Sequence, residues 1–224
     1  EIIYGAEALA RWKKPDGTIV PPAYFIDSLE KIGYITELDF YIFEEVLKTL
    51  DKWDRQKKRK IIISTNFSGR HFEGTGEEFL NRIAHVMSKY TVLPSNVEIE
   101  VTEGVLVKNV EVLRHCLNRL HDMGFRIAID DFGTGYSSLS MLADMPSDVI
   151  KIDKSFINVG MTDQKLKLLC EIGRMVKILG KEIIIEGVET KEQEQFLIDG
   201  GFACGQGFLC NRPVSLGEFE RLYL

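Results

Sequence analysis

Seven short apolar runs of this 224-residue chain each end on side chains able to hold a cation or face a phosphate. IIYGAEAL delivers Glu7, IIISTN delivers Asn66, and VEIEVTE delivers Glu100 and Glu103. RIAIDD delivers Asp130 and Asp131, DVIKID delivers Lys151 and Asp153, EIIIEGVE delivers Glu186 and Glu189, and FACGQGF delivers Gln206. After a single strand, an acid is ordinarily a helix cap or a turn residue. Repetition at the same relative position in every run is more than capping produces. Carboxylates gathered this way repel one another unless cations neutralise them. Oxygen donors with one Asn and no His suit Mg²⁺ or Mn²⁺ rather than zinc or copper. The adjacent acids Asp130 and Asp131 are a natural place for one carboxylate to join two ions. Two such ions about 4 Å apart acidify a water and clamp a phosphodiester for in-line attack. Hydrolysis of a phosphate ester is the chemistry these residues point to. An enolase-like or aldolase-like reaction stays open on the same residue types.

The runs that carry these side chains read as strands: 2–6, 61–65, 97–101, 126–129, 148–152, 182–185 and 202–208. Amphipathic stretches separate them, with apolar residues at helical spacing over 39–53, 112–123 and 165–179. Gly124 and Gly180 stand where the last two stop. Strands alternating with helices predict parallel pairing and an α/β fold. The strands are apolar along most of their length, as in a sheet covered on its outer face. The expected architecture is a TIM-like (β/α)8 barrel forming one domain over 1–224. In such barrels the C-terminal strand ends form one face, where the chemistry sits. Seven runs against eight strands predict a first strand upstream of residue 1, a seven-strand open sheet being the alternative. Strand parity adds a local expectation. Glu98 shares a face with Glu100, and Arg126 with Ala128 and Asp130, so Glu98 and Arg126 should pair inside the barrel below the acidic layer.

Composition narrows the partners. A net charge of −6 argues against binding DNA or RNA, which calls for a positive field. No apolar run approaches the roughly 20 residues that span a bilayer, so no membrane segment is expected. The four cysteines are scattered without a C-x-x-C pair and read as free thiols, which suits a reducing, cytoplasmic setting. His85, His115 and His121 fall in helical stretches, while His71 follows the Asn66 run closely enough to approach the site.

Glu7-Ala8-Leu9-Ala10-Arg11-Trp12 resembles the motif that names the EAL family, and the stretch from Asp130-Asp131-Phe132-Gly133 to Leu139 resembles that family's active-site loop. Glu100-Val101-Thr102-Glu103, Lys151-Ile152-Asp153, Glu186-Gly187-Val188-Glu189 and Gln206-Gly207-Phe208 follow in the family's order. The resemblance implies a phosphodiesterase that cleaves cyclic di-GMP to linear pGpG with two Mg²⁺ or Mn²⁺ ions. It implies Glu7, Asn66, Glu100, Asp130, Asp131 and Glu186 as metal ligands, with Asp130 shared between ions. Lys151 would orient the attacking water, and its charge would favour the developing phosphorane. Glu186 is alternatively a general base, but a water acidified by metal needs no strong protein base. Arg11 would hold a substrate phosphate through its planar fork. Leu9, Asp153, Glu189 and Gln206 would line the substrate or contact water. Glu103 would anchor the loop over 132–139, in which Gly133 and Gly135 supply turns. A homodimer is implied as well.

Gly104 stands where the family often has a small hydroxyl residue, which would loosen the loop anchor without removing a ligand. The family's first strand, with its substrate-contacting Gln-Pro segment, would precede Glu1; its loss would open the barrel seam and weaken activity. The competing reading is an EAL-type module, weak or inactive in catalysis, that holds cyclic di-GMP or a protein partner. Such modules commonly lose ligands, whereas every matched acid is present here.

Overall fold

The computed structural model describes residues 3–107, 109–135, 139–158 and 162–224. Ile2, where the first expected strand begins, and Tyr136, Ser137 and Ser138 of the loop block lie outside the described residues. In chain order the strands are β1 (Gly5–Ala8), β2 (Trp12–Lys13), β3 (Ile19–Val20), β4 (Ile62–Asn66), β5 (Val97–Thr102), β6 (Arg126–Phe132), β7 (Val149–Ile152) and β8 (Glu182–Ile185). The helices are α1 (Ile26–Ile32), α2 (Ile35–Arg55), α3 (Glu77–Met87), α4 (Val110–Asp122), α5 (Leu139–Asp144), α6 (Ser155–Asn158), α7 (Asp163–Ile178), α8 (Lys191–Asp199) and α9 (Leu216–Tyr223). Strands β1, β4, β5, β6, β7 and β8 pair in that order, all parallel, while β2 and β3 form a small antiparallel hairpin.

The parallel sheet curls. Tyr4, just before the edge strand β1, donates its hydroxyl to Glu182 at the start of the opposite edge strand β8. At the other end Gln206 Nε2 donates to Glu7 Oε2 over 2.6 Å. These contacts bring the two edges of the sheet together, giving the TIM-like barrel arc that the alternation of elements predicts. Helix α9 reaches across the same gap: Phe219 stacks on Trp53 of α2 at 6.0 Å, and Glu220 accepts from Trp53 Nε1 at 2.8 Å and Lys52 Nζ at 2.7 Å.

Alternation along each strand decides what lies inside. Val97, Ile99, Val101, Ile127, Ile129, Ile150, Ile152, Ile183 and Ile185 point outward into one continuous core with the buried stripes of the helices. On α2 that stripe is Phe40, Phe43, Val46, Leu47, Leu50 and Trp53, for which each fully buried side chain contributes about 2 kcal/mol. Ala128, Val149 and Ile184 form a separate small apolar layer inside the curl, with Cys204 packed against it. The acids and amides of the strand ends sit above that layer.

The Glu98–Arg126 pair lies where strand parity places it. The two residues are register partners on β5 and β6, with Arg126 Nε 3.2 Å from Glu98 Oε2. Arg126 also reaches the Tyr4 hydroxyl at 2.7 Å and Glu182 at 3.3 Å, so the barrel bottom is closed by a polar cluster in which one guanidinium serves two carboxylates. Burial still holds the Glu98 carboxyl above its ordinary range, against the pull of Arg126. Arg126→Met would strip that carboxylate of its cation. We expect unfolding free energy to fall by about 3 kcal/mol in urea titrations at pH 7, the low end for breaking a buried pair, because the Arg126 side chain is 21% exposed. The loss should shrink at acid pH, where Glu98 takes up a proton.

Some elements differ from expectation. The run 202–208 is not a regular strand: a single parallel bridge joins Gly205 to Ile185. The backbone continues in the same direction through Gln206 N to Ile185 O, Val188 N to Gln206 O and Leu209 N to Val188 O, without the regular register of a strand. Gly207 packs so tightly that a Cβ would lie 2.2 Å from the Val188 carbonyl oxygen. The helices expected over 39–53, 112–123 and 165–179 all form, with α2 beginning four residues earlier at Ile35. Helix α3 was legible yet unclaimed: Phe79, Leu80, Ile83 and Val86 are buried at helical spacing. All four cysteines are free, though only Cys116 is fully buried and Cys210 is exposed.

Candidate active site

The C-terminal ends of β1, β5, β6 and β8 converge on one ammonium. Lys151 of β7, 1% exposed, lies 2.8 Å from Glu186 Oε1, 3.0 Å from Glu100 Oε1, 3.4 Å from Asp130 Oδ1 and 3.5 Å from Glu7 Oε2. Four strands therefore contribute one carboxylate each to a shared cation. Around this centre Asn66 of β4 donates its amide nitrogen to Glu7 Oε1 at 2.8 Å, and Gln206 donates to Glu7 Oε2. Glu7 is thereby held from both sides, and the carbonyl oxygen is the atom of Asn66 left to act as a ligand.

Alternation alone would send Asp130 and Asp131 to opposite faces of β6. A bulge prevents this. Ile129 pairs with Ile150 and Phe132 with Ile152, so Asp130 and Asp131 together oppose the single residue Lys151. Asp131 adopts φ of +55°, a left-handed conformation that Asp tolerates better than most residues, and its N–H donates to Asp130 Oδ1 at 2.8 Å. As a result Asp130, Asp131 and Glu186 each present an oxygen within 4.8 Å of the others. Local strain at adjacent acids beside a buried cation is an expense that packing alone does not require.

The electrostatics follow from burial. Desolvation, with Glu7 and Asp130 nearby, outweighs the attraction of Lys151 and pushes Glu100 up to about 8. Glu186 is raised to about 7, again chiefly by burial and then by Asp130. Burial, then Asp130 and Asp153, raises Asp131 as well. For Lys151 burial opposes the charge, but the four carboxylates prevail and hold the ammonium well above the ordinary lysine range. One cation shared among so many acids leaves the cluster short of positive charge. Glu100 Oε2 is buried and has no hydrogen-bond partner. An orphaned carboxylate oxygen, three further oxygens within ion-binding reach and no nitrogen or sulfur donor together fit a hard divalent cation.

Glu103, buried at the start of the 3₁₀ turn Glu103–Val107, accepts from Gly133 N at 2.8 Å and Gly135 N at 2.9 Å through Oε2. Gly133 has φ of +97°, and a Cβ there would overlap the Phe156 ring. A Cβ at Gly135 would press on the Glu103 carboxyl at 3.0 Å. Both glycines are thus fitted to this contact. Gly104 has open space around it, so a side chain there would meet no clash.

The other residues expected at the site make no direct contact with Lys151. Asp153 is half-buried, accepts from Ser155 N and influences Asp131. Leu9 and Arg11 are exposed after β1, with Arg11 donating to the Ala10 carbonyl. Glu189 is exposed, and its N–H donates to Gln193 Oε1 within the N-terminal cap of α8, so its backbone serves that helix. His71 turns away into an aromatic nest of Phe40, Phe67 and Phe79, with Nε2 3.0 Å from Asp39 Oδ2. Asp39 itself escaped notice, although it shares the buried stripe of α2 with Phe43 four residues on, an acid where the pattern calls for an apolar residue.

Comparison with known proteins matches residues 1–213 to the EAL domain family model. The signaling protein YkoW of Bacillus subtilis is 37% identical over 221 residues, covering 98% of this chain and 27% of YkoW. The cyclic di-GMP phosphodiesterase PdeR of Escherichia coli is 32% identical, covering 97% of this chain and 32% of PdeR. The chain thus spans about a third or less of these curated relatives. Among solved structures, the PaMucR phosphodiesterase in complex with c-di-GMP superposes with a TM-score of 0.89 at 31% identity, covering 97% of this chain and 87% of that one.

Proposed function

The chain belongs to the EAL domain family, and from this we propose that it hydrolyses cyclic di-GMP to linear pGpG, as one catalytic domain over 1–224. The observation that carries the proposal is the gathering of Glu7, Glu100, Asp130 and Glu186 from four strands around Lys151, with Glu100 Oε2 unpartnered. The similarity to PdeR and to the PaMucR complex supports the choice of substrate. Glu7, Asn66, Glu100, Asp130, Asp131 and Glu186 would hold two Mg²⁺ or Mn²⁺ ions. Such ions supply Lewis acidity to the phosphodiester and lower the pKa of the attacking water. Lys151 orients that water and offsets charge growing on the phosphoryl oxygens. Arg11, on the exposed rim, takes a substrate phosphate, while Leu9, Asp153, Glu189 and Gln206 line the mouth. Glu103 sets the position of the loop that begins at Phe132. We further propose a homodimer acting in the cytoplasm.

The direct test is incubation of the purified chain with cyclic di-GMP and Mg²⁺ or Mn²⁺. The expected product is pGpG, lost on adding EDTA. Tight binding without product would make the chain a receptor, and neither binding nor product would overturn the substrate assignment.

A pH dependence accompanies the metal reading. Carboxylates must be ionised to ligate, and burial raises Glu100 to about 8 and Glu186 to about 7. Acids raised on folding favour the metal-free fold at low pH, and that contribution fades as pH climbs through 7 to 8. Protons also compete with metal over the same window. Both effects act in one direction, so the rise in Tm produced by Mn²⁺ should be larger at pH 8.5 than at pH 6, as read by thermal shift. An equal rise at both values would show that these two carboxylates do not bind the ion.

A further inference from the structure

Asp39 lies outside the acidic cluster, on α2, yet is tied to the segment that carries Asn66. Its Oδ2 accepts from Ser68 N at 2.9 Å and from His71 Nε2 at 3.0 Å. The contact is a hydrogen bond from His71 to an ionised Asp39 when Nε2 carries a proton. Ser68 and His71 belong to the turn that follows Asn66 directly, and Ser68 Oγ donates to Glu30 Oε1 of α1 at 2.6 Å. Between them and the site stands only Phe67, 3% exposed, whose N–H donates to the Glu100 carbonyl and whose ring packs on Phe40, Phe43 and Phe79. The two residues that follow Asn66 are therefore held from two directions, Phe67 by β5 and Ser68 by Asp39.

A buried carboxylate amid phenylalanines costs stability unless it fixes something that apolar packing cannot. The surrounding rings would fill the space with a leucine in its place; what only the carboxylate supplies is two directional bonds to the turn after β4. We propose that Asp39, with His71, is a positioning couple that fixes the end of β4, so that Asn66, its amide nitrogen engaged by Glu7, keeps its side-chain oxygen available to a divalent cation, and so sets the affinity of the site for that ion. The proposal rests on the metal reading above. It assigns Asp39 no contact with substrate.

The test is Mn²⁺ binding to the full chain, followed by calorimetry, for wild type, Asp39→Ala, Asp39→Asn, Asn66→Ala and the double variant Asp39→Ala/Asn66→Ala. Asp39→Ala should weaken Mn²⁺ about tenfold, the scale for losing support behind a ligand, while kcat at saturating Mn²⁺ stays near wild type. Asp39→Asn keeps an acceptor oxygen for Ser68 N and should recover most of the affinity. On the Asn66→Ala background, removing Asp39 should change nothing further. His71→Gln, a milder loss on the same turn, stands in if Asp39→Ala does not fold. Wild-type Mn²⁺ affinity in Asp39→Ala, a fall in Tm alone, or an undiminished loss on the Asn66→Ala background would overturn the proposal. A wild-type chain that takes up no Mn²⁺ would instead overturn the metal reading, and this one with it.

Discussion

Asp130→Asn should lower turnover of cyclic di-GMP on the order of a thousandfold, equal to about 4 kcal/mol of barrier, without loosening the fold. The substitution is isosteric. An amide oxygen still accepts from Asp131 N, the bond that holds the bulge. What disappears is one negative charge at the point where Asp131 and Glu186 approach within 4.8 Å. Glu100, Asp131 and Glu186 are each raised in part by the charge on Asp130, so removing it relieves repulsion. The metal-free Tm should therefore stay level or rise while activity and Mn²⁺ uptake collapse. That opposition separates a ligand from a structural acid, whose loss lowers both together. Full turnover in the variant would remove Asp130 from the ion-binding set.

Lys151→Met should have the largest effect on stability, and one that depends on metal. Four carboxylates lie within 3.5 Å of the Lys151 ammonium, which is almost wholly buried. Without it, Glu7, Glu100, Asp130 and Glu186 face one another uncompensated in a place where water screens little. Removing one partner of a buried pair typically costs about 3–5 kcal/mol, and here one cation serves four partners. The metal-free variant should accordingly unfold at much lower urea than wild type at pH 8. Two conditions should restore it. At pH 5, Glu100 and Glu186 hold protons, given values raised to about 8 and about 7, and the repulsion falls. With saturating Mn²⁺ or Mg²⁺ the ions replace the missing charge, so the stability gap narrows although turnover stays low for want of the lysine. Equal destabilisation with and without metal would mean that the ions bind elsewhere.

Much of this was legible in the chain. Strand parity, with consecutive strands taken as neighbours, puts Glu98 and Arg126 on one face, because side-chain alternation is a property of every extended backbone; the register that sets them opposite comes from the pairing of β5 with β6. The same parity aligns Glu7, Ser64, Glu98 and Arg126 across successive registers and sends the intervening isoleucines and valines outward. The seventh run is the exception: apolar ends around Gly205 and Gly207 read as a strand, but glycines give a strand no side chain to pack and only one bridge forms. Helix α3 and the acid at Asp39 are both present in the helical spacing of the sequence.

The sequence by itself determined the alternation of strands and helices, the inward or outward sense of residues in the regular stretches of strand, and the supply of oxygen ligands at the strand ends, since each follows from backbone periodicity and side-chain type. Only the tertiary structure decided that Asp130 and Asp131 face the same way, through a bulge against Lys151, and that one lysine meets four carboxylates. It alone turned His71 toward Asp39 rather than toward the acids, and left Arg11 and Glu189 exposed. The physical reason is that register shifts and buried charge clusters depend on residues distant in the chain, whose approach is set by packing of the whole barrel rather than by any local pattern.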